Sequence, residues 1–365
     1  MVERIANESA GQVASPQMAQ PDTLLEVKDL RMYFPIKGGF FSQVAGYVKA
    51  VDDVTFNIKR GETLGLVGES GCGKSTIGRC IVRAYEVTGG QMFYRHEDGY
   101  IDDLAGLTGD KLRQLRKEIR MVFQDPYSSL NPRMTLFDNV SEALQVAGEM
   151  SRNDMRERVA YLLQRVGLRP EYMNRYPHAF SGGERQRIVI ARALVTSPRL
   201  IVLDEAVSGL DVSIRAQILN LLEELQEEFN LTYLFISHDL SVIRHICNRV
   251  AVMYVGKLVE TASIDELYRH PKHPYAEALL SAVPISNPNL RGKRVLIELE
   301  GEVADPSNPP GGCYFHPRCR YAKEKCRVDN PVLLHVNGKN GSGEHVAACH
   351  FANELSLTGV IYDEH

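Results

Sequence analysis

The chain has 365 residues, 44% hydrophobic and 24% charged, with a formal net charge of −4. That is the composition of a folded chain with room for one large domain and a smaller one, or for two. It lacks the overall basic charge that would argue for nucleic acid, and its longest apolar runs are about half of what a membrane helix needs.

In chain order, residues 1–23 contain no apolar core of an export signal and are expected as a disordered lead-in. Without such a signal, the seven cysteines are expected in a reducing compartment, as free thiols or metal ligands rather than disulfides. Residues 24–36, LLEVKDLRMYFPI, and 48–59, VKAVDDVTFNIK, alternate apolar and polar side chains as half-buried strands do. GGFFSQVAGY, rich in glycine and aromatics, reads as the loop between them. ETLGLVG is predicted as a buried strand that runs into a glycine loop and then a helix starting near Lys74. A more polar stretch containing KLRQLRKEIR follows, and residues 126–196 carry helical patterns. RLIVLD and LTYLFIS read as buried strands around the helix SIRAQILNLLEELQEEF. Apolar strands alternating with helices imply an α/β fold whose parallel sheet is covered on both faces. Beyond about residue 285 the chain turns proline-rich and cysteine-bearing, and 286–365 is expected to be a separate small module.

GESGCGKS, Gly68 to Ser75, fits G-x-x-x-x-G-K-[ST] between a strand and a helix, the context that gives the motif its meaning. Backbone N–H groups of Ser70, Gly71, Cys72 and Gly73 are expected to turn inward around phosphate oxygens. Lys74 would place its charge on the β- and γ-phosphates, the Ser75 hydroxyl would ligate Mg²⁺, and Thr76 would add a phosphate contact. LIVLDE ends in two carboxylates: Asp204 is placed to hold Mg²⁺ through water, and Glu205 to polarise an attacking water as general base. His238, ending LFISHD, can hydrogen-bond the γ-phosphate, and Gln124, in MVFQDP, can sense Mg²⁺ and the water. Ser181, Gly182 and Gly183 open a helix with free N–H groups and little side chain at its mouth, a place for an anion.

The phosphate loop, FQDP, SGGERQR, LDEAVSGLD and SHD occur in the order and spacing of the ATP-binding-cassette ATPases, which residues 24–285 resemble. The resemblance implies a P-loop NTPase core, an antiparallel β subdomain and an α-helical subdomain over about 126–196. It also implies that two cassettes meet head to tail, each Ser181–Gly183 mouth capping the γ-phosphate held by its partner, with Asp211 as the acid of the D-loop. Two stretches depart from the family pattern: Phe180 and Glu184 stand where Leu and Gln are usual, and Ala206, Val207, Ser208 and Gly209 replace Pro-Thr-Ser-Ala. Glu184 would weaken phosphate binding if it pointed inward. An aromatic of the first loop would stack on adenine; among Phe40, Phe41 and Tyr47, Tyr47 is the choice.

YFPIKGG, QDPYSSLNPRMT and HPYAEALLSAVP look like the ATPases of oligopeptide, dipeptide and nickel importers. Such a subunit would sit peripherally on the cytoplasmic face of the inner membrane. It would pair with a second, paralogous ATPase and two permease subunits, fed by an external solute-binding protein, with no nucleic acid involved. A short helix of the membrane subunit would dock near Tyr127 to Thr135. The tail GCYFHPRCRYAKEKC, with Cys313, Cys319, Cys326 and later Cys349, resembles the tails of that subfamily. The resemblance implies a [4Fe–4S] cluster on the four cysteines; zinc, with His316 or His350 as substitute ligands, is the alternative. Cys80 and Cys247 sit in apolar helical patterns and read as core.

Overall fold

The computed structural model describes residues 18, 20–38, 43–148, 150–283, 296–336 and 345–360. Most of the expected lead-in, Phe40 and Phe41, and the 285/286 boundary lie outside these residues.

Strands β1 (Thr23–Gly38) and β2 (Gln43–Lys59) form one long antiparallel hairpin, from Thr23 opposite Lys59 to Gly38 opposite Gln43. Both outrun the stretches expected from alternation, because ladder pairing such as Pro35 opposite Tyr47 carries the strands into the glycine-rich connection. Then come β3 (Thr63–Val67), α1 (Lys74–Ile81), β4 (Gly89–Arg95), β5 (Ile101–Asp103), α2 (Gly109–Glu118) and β6 (Ile119–Val122). The order β2-β1-β4-β5 makes the smaller, antiparallel sheet. KLRQLRKEIR, expected only as part of a more polar stretch, splits between α2 and β6; only Leu115 and Ile119 of its apolar residues are fully buried.

The helical region holds α3 (Leu136–Ala147), α4 (Arg152–Arg165) and α5 (Gly182–Leu194). Thr135 and Ser151 cap the first two, each accepting from the amide three residues on. Next are β7 (Leu200–Asp204), α6 (Val212–Phe229), β8 (Thr232–Ile236), α7 (Leu240–Ile246), β9 (Arg249–Tyr254), β10 (Lys257–Ser263), α8 (Ile264–Arg269) and α9 (Pro274–Ser281). After residue 296 follow α10 (Glu324–Val328), β11 (Leu334–His335) and β12 (Val346–Ala347).

The larger sheet has the order β11-β12-β10-β9-β3-β8-β7-β6. Its run from β9 to β6 is parallel, while β10, β12 and β11 pair antiparallel. The sheet is therefore mixed, not wholly parallel as its apolar strands suggested. β3, β7 and β8 are buried along their whole length, covered on both faces as that hydrophobic pattern requires.

The last third of the chain is built into this frame. β12 adds to β10, with Glu260 opposite Ala347 and Thr261 opposite Val346. Phe315 is 2% exposed and packs its ring at 5.2 Å from Tyr254 and 5.4 Å from Tyr275. The buried Glu260 carboxylate accepts the amides of Lys272 and His273 at 2.8 and 2.7 Å and faces His345 Nε2 at 2.7 Å. A carboxylate so deep is tolerable because every partner around it donates. The tail thus shares the core of the main unit instead of folding beside it.

Phe315→Ala should lower unfolding free energy by about 3–5 kcal/mol, the usual cost of truncating a buried phenylalanine. Chemical denaturation of the full chain measures it; a loss below about 1 kcal/mol would mean the tail is not packed into the core.

Candidate active site

The phosphate loop leaves the buried end of β3 and enters α1. Its glycines are needed for space as much as for conformation. Gly68 has φ 154° and Gly73 φ 110°; a Cβ would lie 2.1 Å from the Met253 carbonyl oxygen at the first and 2.0 Å from the Ala50 carbonyl at the second. Ser70 and Gly71 are exposed at the turn, Cys72 is buried beneath it, and Thr76 is half-buried in α1. Lys74, only 5% exposed, donates from Nζ to the carbonyls of Gly68 at 2.7 Å and Glu69 at 2.9 Å. It is folded back on its own loop, where it neutralises carbonyl dipoles.

β7 lies next to β8, which lies next to β3, all three parallel, so their C-terminal ends open along one edge. Asp204 ends β7 and accepts the Ser75 hydroxyl at 2.8 Å. Burial pushes its carboxyl above the ordinary range, against the Ser75 hydrogen bond and the charges of Arg79 and Lys74. Glu205 follows in the left-handed region at φ 50°, with its amide donating to the Ile236 carbonyl at 3.0 Å. That turn swings its side chain between two holders. Gln124 Nε2 donates to Oε2 at 2.7 Å, and His238 Nδ1 lies 3.2 Å from Oε1. Against an ionised carboxylate, Nδ1 carries the hydrogen and Nε2 is left free for a ligand.

One link had no signal in the sequence. Arg215 bridges from α6 to Asp239 at 2.9 Å and donates to the Leu210 carbonyl, tying the turn around Asp211 to the segment that carries His238. Asp211 itself stands at the head of α6 without a side-chain capping bond.

At the mouth of α5, the Ser181 hydroxyl and amide both donate to the Glu184 carboxylate at 2.9 Å, and the Glu184 amide donates back to Ser181. This capping box decides where Glu184 points: inward, over the helix mouth. Gly183 is needed because a Cβ would come 2.8 Å from Ile214, whereas Gly182 faces open space. The other departures have packing reasons. Phe180 is buried with its ring 5.7 Å from Tyr172, and Ala206 and Val207 are core residues. Tyr47 lies on β2, 50% exposed, with no ring contact among the described residues. Tyr127 is 64% exposed beneath the Arg185 guanidinium, 3.9 Å from the ring centroid. Asp125 holds the start of that segment by accepting the Tyr127 amide at 2.8 Å.

Cys313, Cys319, Cys326 and Cys349 line one cavity of about 20 Å³ together with His316 and His350. All four are unpaired thiols, and burial pushes Cys313, Cys319 and Cys349 up to about 11. His316 Nδ1 and His350 Nε2 are each taken up by a backbone carbonyl at 2.9 Å. Among the described residues no group of three or more His, Cys, Asp or Glu side chains is placed to hold a metal ion. Four thiolates on one zinc would have to crowd within about 4 Å of one another, given zinc–sulfur bonds of about 2.3 Å. Neither the expected [4Fe–4S] cluster nor its zinc alternative finds a preformed ligand group here, although the four cysteines line one cavity. Cys80 and Cys247 are buried in the core, as their patterns implied.

A strand-end carboxylate pinned between a glutamine and a histidine, beside a phosphate loop, is what a nucleotide-hydrolysing cassette requires. Comparison with known proteins agrees. The ABC transporter family model matches residues 51–208, and that of the oligopeptide/dipeptide transporter C-terminal region matches 259–326. The chain is 53% identical to the oligopeptide transport ATP-binding protein AppF of Bacillus subtilis (strain 168), over 91% of this chain and 98% of that one. It is 48% identical to the oligopeptide transport ATP-binding protein OppF of Salmonella typhimurium, over 90% of this chain and 96% of that one. Among solved structures, the dimeric post-hydrolysis state of the ATP-binding cassette MJ0796 bound to ADP and Pi superposes with a TM-score of 0.57. It covers 66% of this chain and 99% of its own, at 29% identity. The chain belongs to the ABC transporter ATP-binding proteins, in the oligopeptide/dipeptide branch.

Because its folded-state pKa is raised, Asp204 stabilises the fold fully only below the unfolded carboxylate pKa, and that contribution is lost as pH rises through the folded value. Asp204→Asn should therefore raise neutral-pH stability of the nucleotide-free chain, by about 0.5–2 kcal/mol, while impairing ATP hydrolysis. Denaturation at pH 7 without nucleotide or Mg²⁺ checks this; a destabilised variant would show that Asp204 is not under charge strain.

Proposed function

We propose that this chain binds and hydrolyses ATP to energise uptake of oligopeptides or dipeptides. The observation that carries the reading is Glu205, held at both carboxylate oxygens by Gln124 and His238 next to the phosphate loop. ATP is the substrate. Its phosphates lie in the backbone cradle from Ser70 to Gly73, and Lys74 leaves its two carbonyls to meet the β- and γ-phosphates. Thr76 adds a contact, and Tyr47 stacks on the adenine from its exposed place on β2. Ser75, Asp204 and Gln124 would hold Mg²⁺, which would supply positive charge against the phosphates. Ser75 and Asp204 are already in hydrogen-bond contact, the donor set a hard cation takes.

Glu205 polarises the attacking water as general base. Gln124 and the Nδ1–H of His238 fix its orientation, while Nε2 of His238 meets the γ-phosphate. A second cassette supplies the other wall, its Ser181–Gly183 mouth capping this γ-phosphate as this chain's mouth caps the partner's. The partner's phosphate must displace Glu184 from Ser181, so nucleotide and capping carboxylate compete for one set of donors. Asp211, tethered through Arg215, stands at the same junction.

The import complex comprises this chain, a paralogous ATPase, two permease subunits and an external solute-binding protein. The chain is peripheral on the cytoplasmic face; among the described residues no helix is long and apolar enough to cross a membrane. A groove of about 210 Å³ lined by Arg120, Phe123, Ser129 and Arg192, next to the Tyr127–Thr135 segment, receives the permease. The four cysteines would hold a [4Fe–4S] cluster, a reading supported by donor number, thiol chemistry and their lining of one cavity.

Glu205→Gln should lower ATP turnover about 10²–10⁴-fold. It should also trap an ATP-bound closed dimer and abolish ATP-driven uptake of a labelled peptide by vesicles carrying the complex. Unchanged turnover would remove Glu205 from the base role, and uptake of no peptide by the wild-type complex would remove the transport reading. Cys319→Ser should lose the iron found in anaerobically purified wild type; equal iron-to-protein ratios would reject the cluster.

A further inference from the structure

The residue of the phosphate loop that ATP binding does not explain is Glu69. It is the one acidic side chain between Gly68 and Ser75, set where a triphosphate is to bind. Its carboxylate is clamped by Arg318, with Nη1 to Oε2 at 2.7 Å and Nη2 to Oε1 at 3.1 Å, a forked pair. The Arg318 side chain is 7% exposed and that of Glu69 27%. Arg318 comes from the tail, in the turn between Cys313 and Cys319, far outside the phosphate-loop motif in sequence.

The geometry leaves Glu69 little freedom. Its amide donates to the Tyr275 hydroxyl at 2.9 Å, and its carbonyl accepts Lys74 Nζ at 2.9 Å. The ring of Tyr275 packs 5.4 Å from Phe315, and the Arg318 amide donates to the Phe315 carbonyl at 3.0 Å. A buried aromatic anchor therefore fixes the turn that presents the guanidinium, and the guanidinium fixes the loop. Two further contacts hold the tail nearby: the Tyr314 hydroxyl donates to Asp52 at 3.0 Å, and the Lys49 amide donates to the Pro306 carbonyl at 3.0 Å.

From this arrangement we propose that Arg318 is a positioning residue for ATP binding, acting through Glu69; the proposal rests on the ATPase reading above. Arg318 does two things. It neutralises a carboxylate that would otherwise repel the incoming phosphates, and it holds the loop backbone from which Lys74 reaches them. It touches neither ATP nor the attacking water, so its loss should act on binding and leave the chemical step alone.

The test measures ATP hydrolysis and Mg-ATP binding on the full chain, with thermal melting in parallel. Arg318→Ala should raise KM and Kd for Mg-ATP about tenfold and change kcat less than about twofold. Arg318→Lys keeps the charge and loses the fork, so its KM should fall between the two; it carries the test if the alanine variant does not fold. Adding Glu69→Gln to Arg318→Ala removes the liberated charge and should restore KM to within about threefold of wild type. If Arg318→Ala lowers the melting temperature while KM stays at the wild-type value, Arg318 is only a brace for the tail and the proposal fails. It also fails if the double variant binds ATP no better than Arg318→Ala. Wild-type protein that bound no Mg-ATP would instead bring down the ATPase reading, and this proposal with it.

Discussion

The site depends on one geometric constraint: β3, β8 and β7 are neighbours, parallel and buried throughout. Parallel buried strands end together, and their C-terminal edge is where a backbone can leave the sheet and meet solvent. The phosphate loop leaves β3 there, Asp204 and Glu205 leave β7, and Ser237 and His238 leave β8. None of these side chains would find the others from sequence distance alone. The sheet closes 129 positions between Ser75 and Asp204 into a hydrogen bond of 2.8 Å. The strain at Glu205 follows from the same constraint: the strand must stop, yet its next carboxylate has to turn back between Gln124 and His238.

Much of this was legible in the sequence because its signals are local. Four-residue apolar runs ending in charge, a glycine loop between strand and helix, and helical periodicity each survive without tertiary context. What was not legible depends on pairing. The hairpin of β1 and β2 runs into its own connection because ladder bonds, not side-chain alternation, extend it. Leu334–His335 and Val346–Ala347 are too short to show any period; the second pairs with the edge of β10 and the first with the second. Arg215 and Arg318 belong to no motif, and neither carries a mark of the carboxylate it meets far along the chain.

The tail shows how composition can mislead. Proline, glycine and cysteine between residues 306 and 326 suggest a self-contained, metal-stapled unit, since such a segment buries little on its own. Here Phe315 enters the main core and β12 joins the main sheet, so the tail draws its stability from the chain it was expected to stand apart from. The buried Glu260, gathering two amides and His345, can stay deep only while both sides remain in place. A tail docked this way brings the Arg318 guanidinium onto Glu69 of the phosphate loop.

The helix mouth at Ser181 sets the opposite requirement, because there a contact has to give way. A helix start needs its amides satisfied; here Ser181 Oγ takes the Glu184 amide and the Glu184 carboxylate takes the Ser181 amide. In the proposed cycle the partner's γ-phosphate offers more charge to the same donors and takes them, releasing Glu184 to water. A glutamine would cap more weakly; on the same proposal, Glu184 is what the γ-phosphate would have to displace and what the mouth would return to. On that proposal, the capping box would hold the mouth while no γ-phosphate is present and would take it back after hydrolysis.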